Sequence, residues 1–278
     1  MAAESILTRP IPRSGEPLPV VGLGTWQTFD AASDAARGPL REVLSDFVRL
    51  GGRVVDSSPM YGRSESVVGD LAADLAIQKD LFVATKVWTT GRDAGVRQME
   101  ESFRRLRASR IDLMQVHNLV DWQTQLRTLR SWKAEGKLRY IGVTHYTESA
   151  YGELERVIKS EDLDFVQLNY SVAERAAARR MLPLAAERRI AVLVNRPLAE
   201  GGLFRKTRGK PLPEWAADIG AASWAQFFLK FVLGHPAVTC AIPATSRVDH
   251  LRDNMSAGRG PLPDEAMRKR MADYVDKL

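Results

Sequence analysis

The segment VVDSSPMYGRSESVVGD, Val54 to Asp70, decides how the rest of the chain is read. Two β-branched residues, the mark of a pleated and buried strand, run straight into the carboxylate of Asp56. Pro59 and Gly62 punctuate a turn, Tyr61 stands within it, and Gly-Arg-Ser-Glu then opens an apolar pattern at helical spacing. A strand that hands over to a helix within a few residues is a β-then-α unit. That this strand ends on an ionisable group, with a phenol close behind, raises the question of what the two are for.

The same rhythm extends outward in both directions. Val20 to Gly24 reads as a strand before it. After it come Leu81 to Lys86, Ile111 to His117, Tyr140 to Thr144, Phe165 to Asn169, Ala191 to Asn195 and Thr239 to Pro243, each trailed by a helix candidate. With Val54 to Asp56 these make eight units, the number that closes a parallel (β/α)8 TIM barrel of α/β class. No Pro/Gly/Ser-rich linker interrupts them, so residues 1–278 read as a single barrel domain. The first eighteen or so residues, with Arg9-Pro10-Ile11-Pro12 and Ser14-Gly15-Glu16, suit an N-terminal β-hairpin capping the barrel's lower end. Pro263-Asp264-Glu265 suits the start of an extra C-terminal helix. The loops after the fourth and seventh strands read as short.

Composition narrows the chemistry. Hydrophobic residues at 45% and charged residues at 27% are those of a globular protein, and no apolar run reaches the length of a membrane span. A net charge of +6 and a pI near 9.5 would suit a polyanion. The cluster Arg104-Arg105-Leu106-Arg107 lies on a helical pattern, however, and reads as a solvated face rather than a nucleic-acid surface. The lone cysteine, Cys240, permits no internal disulfide and points to a reducing compartment. The N-terminus carries no apolar signal segment, so the location reads as cytoplasmic, with an exported form whose signal has been removed left open. No apolar helix face demands a partner, and the oligomeric state is left to the monomer that family resemblance suggests.

Barrel active sites are built at the carboxyl ends of the strands. The second strand ends on Asp56, the third on Lys86 and the fourth on His117, while Tyr61 lies in the loop after the second. Any one of these is more commonly a structural ion pair or a hydrogen-bonded histidine. Four of them on successive units make catalysis the better reading. A free phenol titrates near 10, and a neighbouring cation favours its ionised form. Lys86 supplies that cation, Asp56 keeps the lysine charged, and His117 can donate to a polarised oxygen. The opening question then has an answer: the strand end anchors a relay that delivers a proton to an oxygen while a hydride or electron pair reaches carbon from elsewhere.

VVDSSPMYGRSESVVG resembles the Asp-to-Tyr segment of the aldo-keto reductase superfamily. LFVATKV, IDLMQVHN, GVTHY, VQLNY and IPATSRVDHLRDN resemble its later segments in the same order, from Gly22-Leu23-Gly24-Thr25-Trp26 to Asn254. The resemblance implies a carbonyl reductase using NADP(H), in which Asp56, Tyr61, Lys86 and His117 form the catalytic tetrad with Tyr61 as general acid. It places Thr25 and Trp26 near the cofactor and gives Thr144, His145 and Gln167 to the carboxamide. Asn195, Arg196 and Leu198 fall where an aromatic residue usually stacks on the nicotinamide. Arg196 can stack by its guanidinium plane or meet the pyrophosphate. Thr245, Arg247, Asp253 and Asn254 fall on the adenosine side, with Arg247 as the candidate for the 2′-phosphate; an exposed helix-start cation is its even alternative. Trp26, Met60, Trp88 and Asn118 are candidates for the substrate pocket, expected to take small aldehydes or diketones.

Competing readings are a Schiff-base barrel aldolase using Lys86 and a reductase-like regulatory protein whose cofactor occupancy controls a partner. Gly22-Leu23-Gly24 fails as a dinucleotide fingerprint, because Gln27 holds the third required position and no helix pattern follows at once. The four histidines show no ligand spacing, so no metal is expected.

Overall fold

The computed structural model describes residues 5–278; residues 1–4, where the predicted cap and domain begin, lie outside them. The hairpin strands β1 (Thr8–Pro10) and β2 (Pro17–Pro19) pair antiparallel. Eight parallel strands follow: β3 (Leu23–Gly24), β4 (Val54–Asp56), β5 (Phe82–Val87), β6 (Ile111–His117), β7 (Leu138–Thr144), β8 (Phe165–Asn169), β9 (Ala191–Asn195) and β10 (Cys240–Ala241). Each pairs with the next in chain order. Parallel bridges from Val21 to Ala241 and from Gly24 to Ala244 join the last strand to the first, so the sheet closes into a (β/α)8 barrel. At that seam a Cβ on Gly24 would stand 2.8 Å from the Ile242 carbonyl oxygen, which is why closure there needs a residue without one.

Helices α1 (Asp34–Arg49), α2 (Ser64–Asp74), α3 (Arg92–Leu106), α4 (Trp122–Ala134) and α5 (Tyr151–Ser160) fill the first five crossovers. Ser33 caps α1 by accepting from the Ala36 N–H at 3.3 Å, and Leu40, Val43, Leu44 and Phe47 form its buried stripe. The sixth crossover holds two short helices, α6 (Ala176–Arg179) and α7 (Met181–Glu187). The connection after β9 is not short as the sequence suggested: residues 196–223 carry α8 (Gly202–Lys206) and 3₁₀ turns before α9 (Trp224–Leu233). The loop after β6, residues 118–121, is short as expected. Helix α10 (Val248–Ser256) follows β10, and the extra helix α11 (Glu265–Asp276) starts where its proline and acids point, with the Asp264 carboxylate accepting from Met267 N–H at 2.8 Å. Among the described residues no helix is long and apolar enough to cross a membrane.

Alternation along the strands sorts the side chains. Outward residues pack under the helices. Inward residues form two storeys. In the lower one Phe82, Tyr140 and Phe165 meet with ring centroids 5.6–6.0 Å apart, and Ile11 and Leu18 of the hairpin plug it from below. The Tyr140 hydroxyl reaches down to the hairpin, donating to Glu16 Oε2 at 2.7 Å. Further up the same strands, two or four residues on, the inward positions turn polar, with Asp56, Lys86, Gln115, His117, Thr144 and Gln167 all buried.

Candidate active site

Register brings the polar storey together. Asp56 stands beside Ala84 on the neighbouring strand, Lys86 beside Gln115, and His117 beside Thr144, which in turn faces Gln167. Lys86 is fully buried and its Nζ donates to Asp56 Oδ2 at 2.6 Å and to the Ser57 carbonyl at 2.7 Å. The same ammonium lies 5.0 Å from the centre of the Tyr61 ring. His117 meets that ring edge-on, centroids 5.9 Å apart at 83°. The four residues proposed from sequence thus form one cluster at the barrel mouth.

The turn that presents Tyr61 is held from the first crossover. Gly62 adopts φ +62, and a Cβ there would come within 2.5 Å of the Asp30 carboxylate. Asp30 uses that space to accept from the Arg63 N–H at 3.0 Å, fixing the loop after β4 to the loop after β3.

The charges follow from burial and pairing. Burial alone would drive Lys86 down, but Asp56 and Tyr61 outweigh it and raise its pKa above the ordinary lysine value. His117 is pushed down to about 2 by burial, by the Lys86 charge and by His145, so its ring is neutral. Tyr61 departs from the sequence expectation. Lys86 does pull its pKa down, yet burial of the phenol outweighs that pull and leaves it raised. The phenol is therefore held protonated, as a proton donor must be.

The cofactor-side candidates divide. Gln167 donates to Asp56 Oδ1 at 2.8 Å and accepts from the Thr144 hydroxyl at 3.2 Å, so both ends of its amide are already engaged. The Thr25 hydroxyl is likewise committed, 3.0 Å from both the Asp56 carbonyl and Ser57 Oγ. His145 stacks on Tyr146 at 5.6 Å and 6°. Asn195 Oδ1 is buried and has no hydrogen-bond partner among the described residues. Arg196, at φ 51, donates to the Tyr146 carbonyl at 3.2 Å and pairs with Glu174 at 3.2 Å, linking the loops after β7, β8 and β9. Leu198 packs half-buried on the core in the turn that follows. Thr245 Oγ accepts from the Arg247 N–H at 3.1 Å, and the exposed Arg247 guanidinium grips Asp249 at 2.5 and 3.0 Å. Asp253 is occupied by the fold: it accepts from Ser223 Oγ, the N-cap of α9, and from Gln226 Nε2, each at 2.7 Å. Asn254, the next residue of α10, is buried.

Trp26, Met60 and Trp88 are 43%, 42% and 41% exposed on the loops after three adjacent strands, so they share one rim. Asn118 adopts φ 52, and its buried Oδ1 has no hydrogen-bond partner among the described residues. Three contributors escaped the sequence reading: Tyr146, 46% exposed on the rim; Ser58, 3.1 Å from His117 Nδ1; and Gln115, whose Nε2 lies 3.4 Å from Asp56 Oδ1. For Gln115 the signal was present, a polar residue at the inward position between Leu113 and His117.

A family model described as the aldo/keto reductase family matches residues 20–272. The chain belongs to this family. It is 28% identical over 244 residues to methylglyoxal reductase YeaE of Escherichia coli, covering 85% of this chain and 84% of that protein. It is 29% identical over 218 residues to the NADH-specific methylglyoxal reductase of the same organism, covering 65% and 64%. An aldo/keto reductase of Klebsiella pneumoniae in complex with NADP and acetate superposes with a TM-score of 0.80 at 25% identity, over 94% of this chain and 93% of that one.

Proposed function

We propose that the protein reduces aldehyde or ketone substrates to alcohols using NADPH, with Tyr61 as general acid. The observation that carries this reading is Lys86, held charged by Asp56 at 2.6 Å and lying 5.0 Å from the Tyr61 ring. Tyr61, protonated at rest, gives its proton to the carbonyl oxygen. Lys86 stabilises the phenolate left behind. Neutral His117 donates a hydrogen bond that orients the same oxygen, and Asp56 keeps Lys86 an ammonium throughout. A nicotinamide nucleotide, when bound, would supply the hydride.

The residues present fit such a cofactor: Asn195 Oδ1, which has no hydrogen-bond partner among the described residues, can accept from a carboxamide at the end of β9, where Asn195 stands opposite Asn169. Arg196 and Leu198 would flank it, and Thr245, Arg247 and Asn254 would face the adenosine half. The resemblance to an NADP complex and to an NADH-specific enzyme favours a nicotinamide nucleotide, with the choice between them resting on Arg247. Two relatives named for methylglyoxal, with an open aromatic rim here, favour small α-oxo aldehydes as substrates. The reading takes the enzyme as a single-domain cytoplasmic monomer without membrane or nucleic-acid partners. A Schiff-base role for Lys86 is disfavoured, because an ammonium locked between Asp56 and the Ser57 carbonyl is no nucleophile.

Fluorescence titration with NADPH and NADH, followed by a carbonyl panel, tests the assignment. Tyr61→Phe should keep nucleotide affinity and lose roughly 10²–10⁴-fold in kcat, the range for a general acid. Turnover that survives this change, or failure of the native protein to bind either nucleotide, would sink it.

A further inference from the structure

Deepening the reductase reading, on which it rests, we propose that Ser58 is a positioning residue that fixes His117 as its Nε2–H tautomer, the form able to donate to a carbonyl oxygen. Ser58 is fully buried and its Oγ lies 3.1 Å from Nδ1 of His117, itself only 6% exposed. Neutral imidazole carries its proton on one nitrogen, and the partner of the other selects which. The hydrogen-bond inventory around Ser58 makes the selection here. Among the described residues its hydroxyl has two partners, the Met60 N–H at 3.4 Å and Nδ1.

Met60 N–H can only donate, so it occupies a lone pair on Oγ. If Nδ1 also carried a hydrogen, Oγ would receive two donors and its own hydrogen would have no protein acceptor. A buried hydroxyl left so is disfavoured. With Nδ1 as acceptor every hydrogen is placed: Met60 N–H to Oγ, Oγ–H to Nδ1, and the ring proton on Nε2. Nε2 makes no protein hydrogen bond among the described residues, which leaves its N–H for a ligand oxygen. The backbone strengthens the device. Pro59 rigidifies the turn, and Tyr61 N–H donates to the Ser58 carbonyl at 3.0 Å, so the segment that carries Tyr61 also carries the residue that orients His117. General acid and orienting donor are therefore positioned by one turn of chain.

Long-range ¹H–¹⁵N correlation spectra of the histidine-labelled native enzyme, assigned with His117→Gln, read the tautomer without any substrate. We expect His117 as a single Nε2–H species from pH 5 to pH 8, because its depressed pKa keeps it neutral across that window. Ser58→Ala should admit the Nδ1–H form and lower kcat roughly tenfold with nucleotide affinity unchanged; this is far below the ~10⁴-fold lost when an ionised orienting partner is removed from a serine protease histidine. Ser58→Thr, which keeps the hydroxyl, should restore both the tautomer and the rate. An Nδ1–H signal in the native protein overturns the proposal even if no variant folds. So does an unchanged His117 signal in Ser58→Ala. Failure of the reductase reading would show differently, as absent carbonyl turnover in a native protein whose tautomer is still Nε2–H.

Discussion

The floor and the mouth of this barrel are built from the same inward faces of the same strands, two or four residues apart, and they hold the chain together by opposite means. On the floor, Phe82 and Phe165 are fully buried and Tyr140 nearly so, and removal of apolar surface from water stabilises. At the mouth, Lys86 and Asp56 are as deeply buried, and desolvating two charges costs free energy that their 2.6 Å contact must offset. Moving up a strand by two inward steps, Phe82 to Ala84 to Lys86, passes from a region that stabilises to one that is maintained because the chemistry needs it. The contrast can be broken from either side.

The largest effect is expected at the mouth. Lys86→Met leaves Asp56 buried with, among the described residues, the amides of Gln167 and Gln115 as its side-chain donors, and should cost about 3–5 kcal/mol in denaturant unfolding as well as turnover. Adding Asp56→Asn removes the stranded charge, so the double variant should regain most of that stability and none of the activity. A double variant as unstable as the single one would mean that the pair stabilises the fold outright, and the contrast between floor and mouth would fail.

The floor should answer in the opposite sense. Phe165→Ala empties space beneath a well-packed ring cluster and should cost about 3–5 kcal/mol, with kcat per folded molecule within about twofold of native. A large fall in kcat at temperatures where the variant remains folded would show that the floor transmits strain into the mouth.

How legible all this was in the sequence depended on distance along the chain. Eight β-then-α units, the hairpin and α11 were readable because strand alternation and the Pro263-Asp264-Glu265 signal are local. The four mouth residues were readable for the same reason, since they sit at or near the ends of three strands, Asp56 and Tyr61 both belonging to β4 and the loop after it. What stayed hidden depends on residues far apart in sequence. The 59-residue separation of Ser58 and His117 gives no periodic signal. Asp253 matched an adenine-side position by motif, yet its carboxylate is drawn to the N-cap of α9, because Ser223 and Gln226 arrive there by folding alone. The direction of the Tyr61 shift was missed because Lys86 was visible in the sequence and the depth of burial was not.

The smallest effect concerns Arg247, proposed to meet the cofactor's 2′-phosphate, at the surface, where neither the floor's burial nor the mouth's desolvation operates. Arg247 and Asp249 are 64% and 63% exposed, and their pairing leaves the guanidinium partly neutralised. A 2′-phosphate arriving there must compete with the Asp249 carboxylate and is repelled by it. Asp249→Asn should therefore tighten NADPH by about twofold to fivefold, the scale of an exposed ion pair, and leave NADH unchanged. Arg247→Ala should weaken NADPH by a similar factor, and both effects should fade as salt rises, since exposed charges are screened over about 10 Å at 0.1 M. Should both variants bind NADPH and NADH as the native protein does, the phosphate is not read at Arg247, and the preference for NADPH over NADH would have to be sought in another cation of this basic chain.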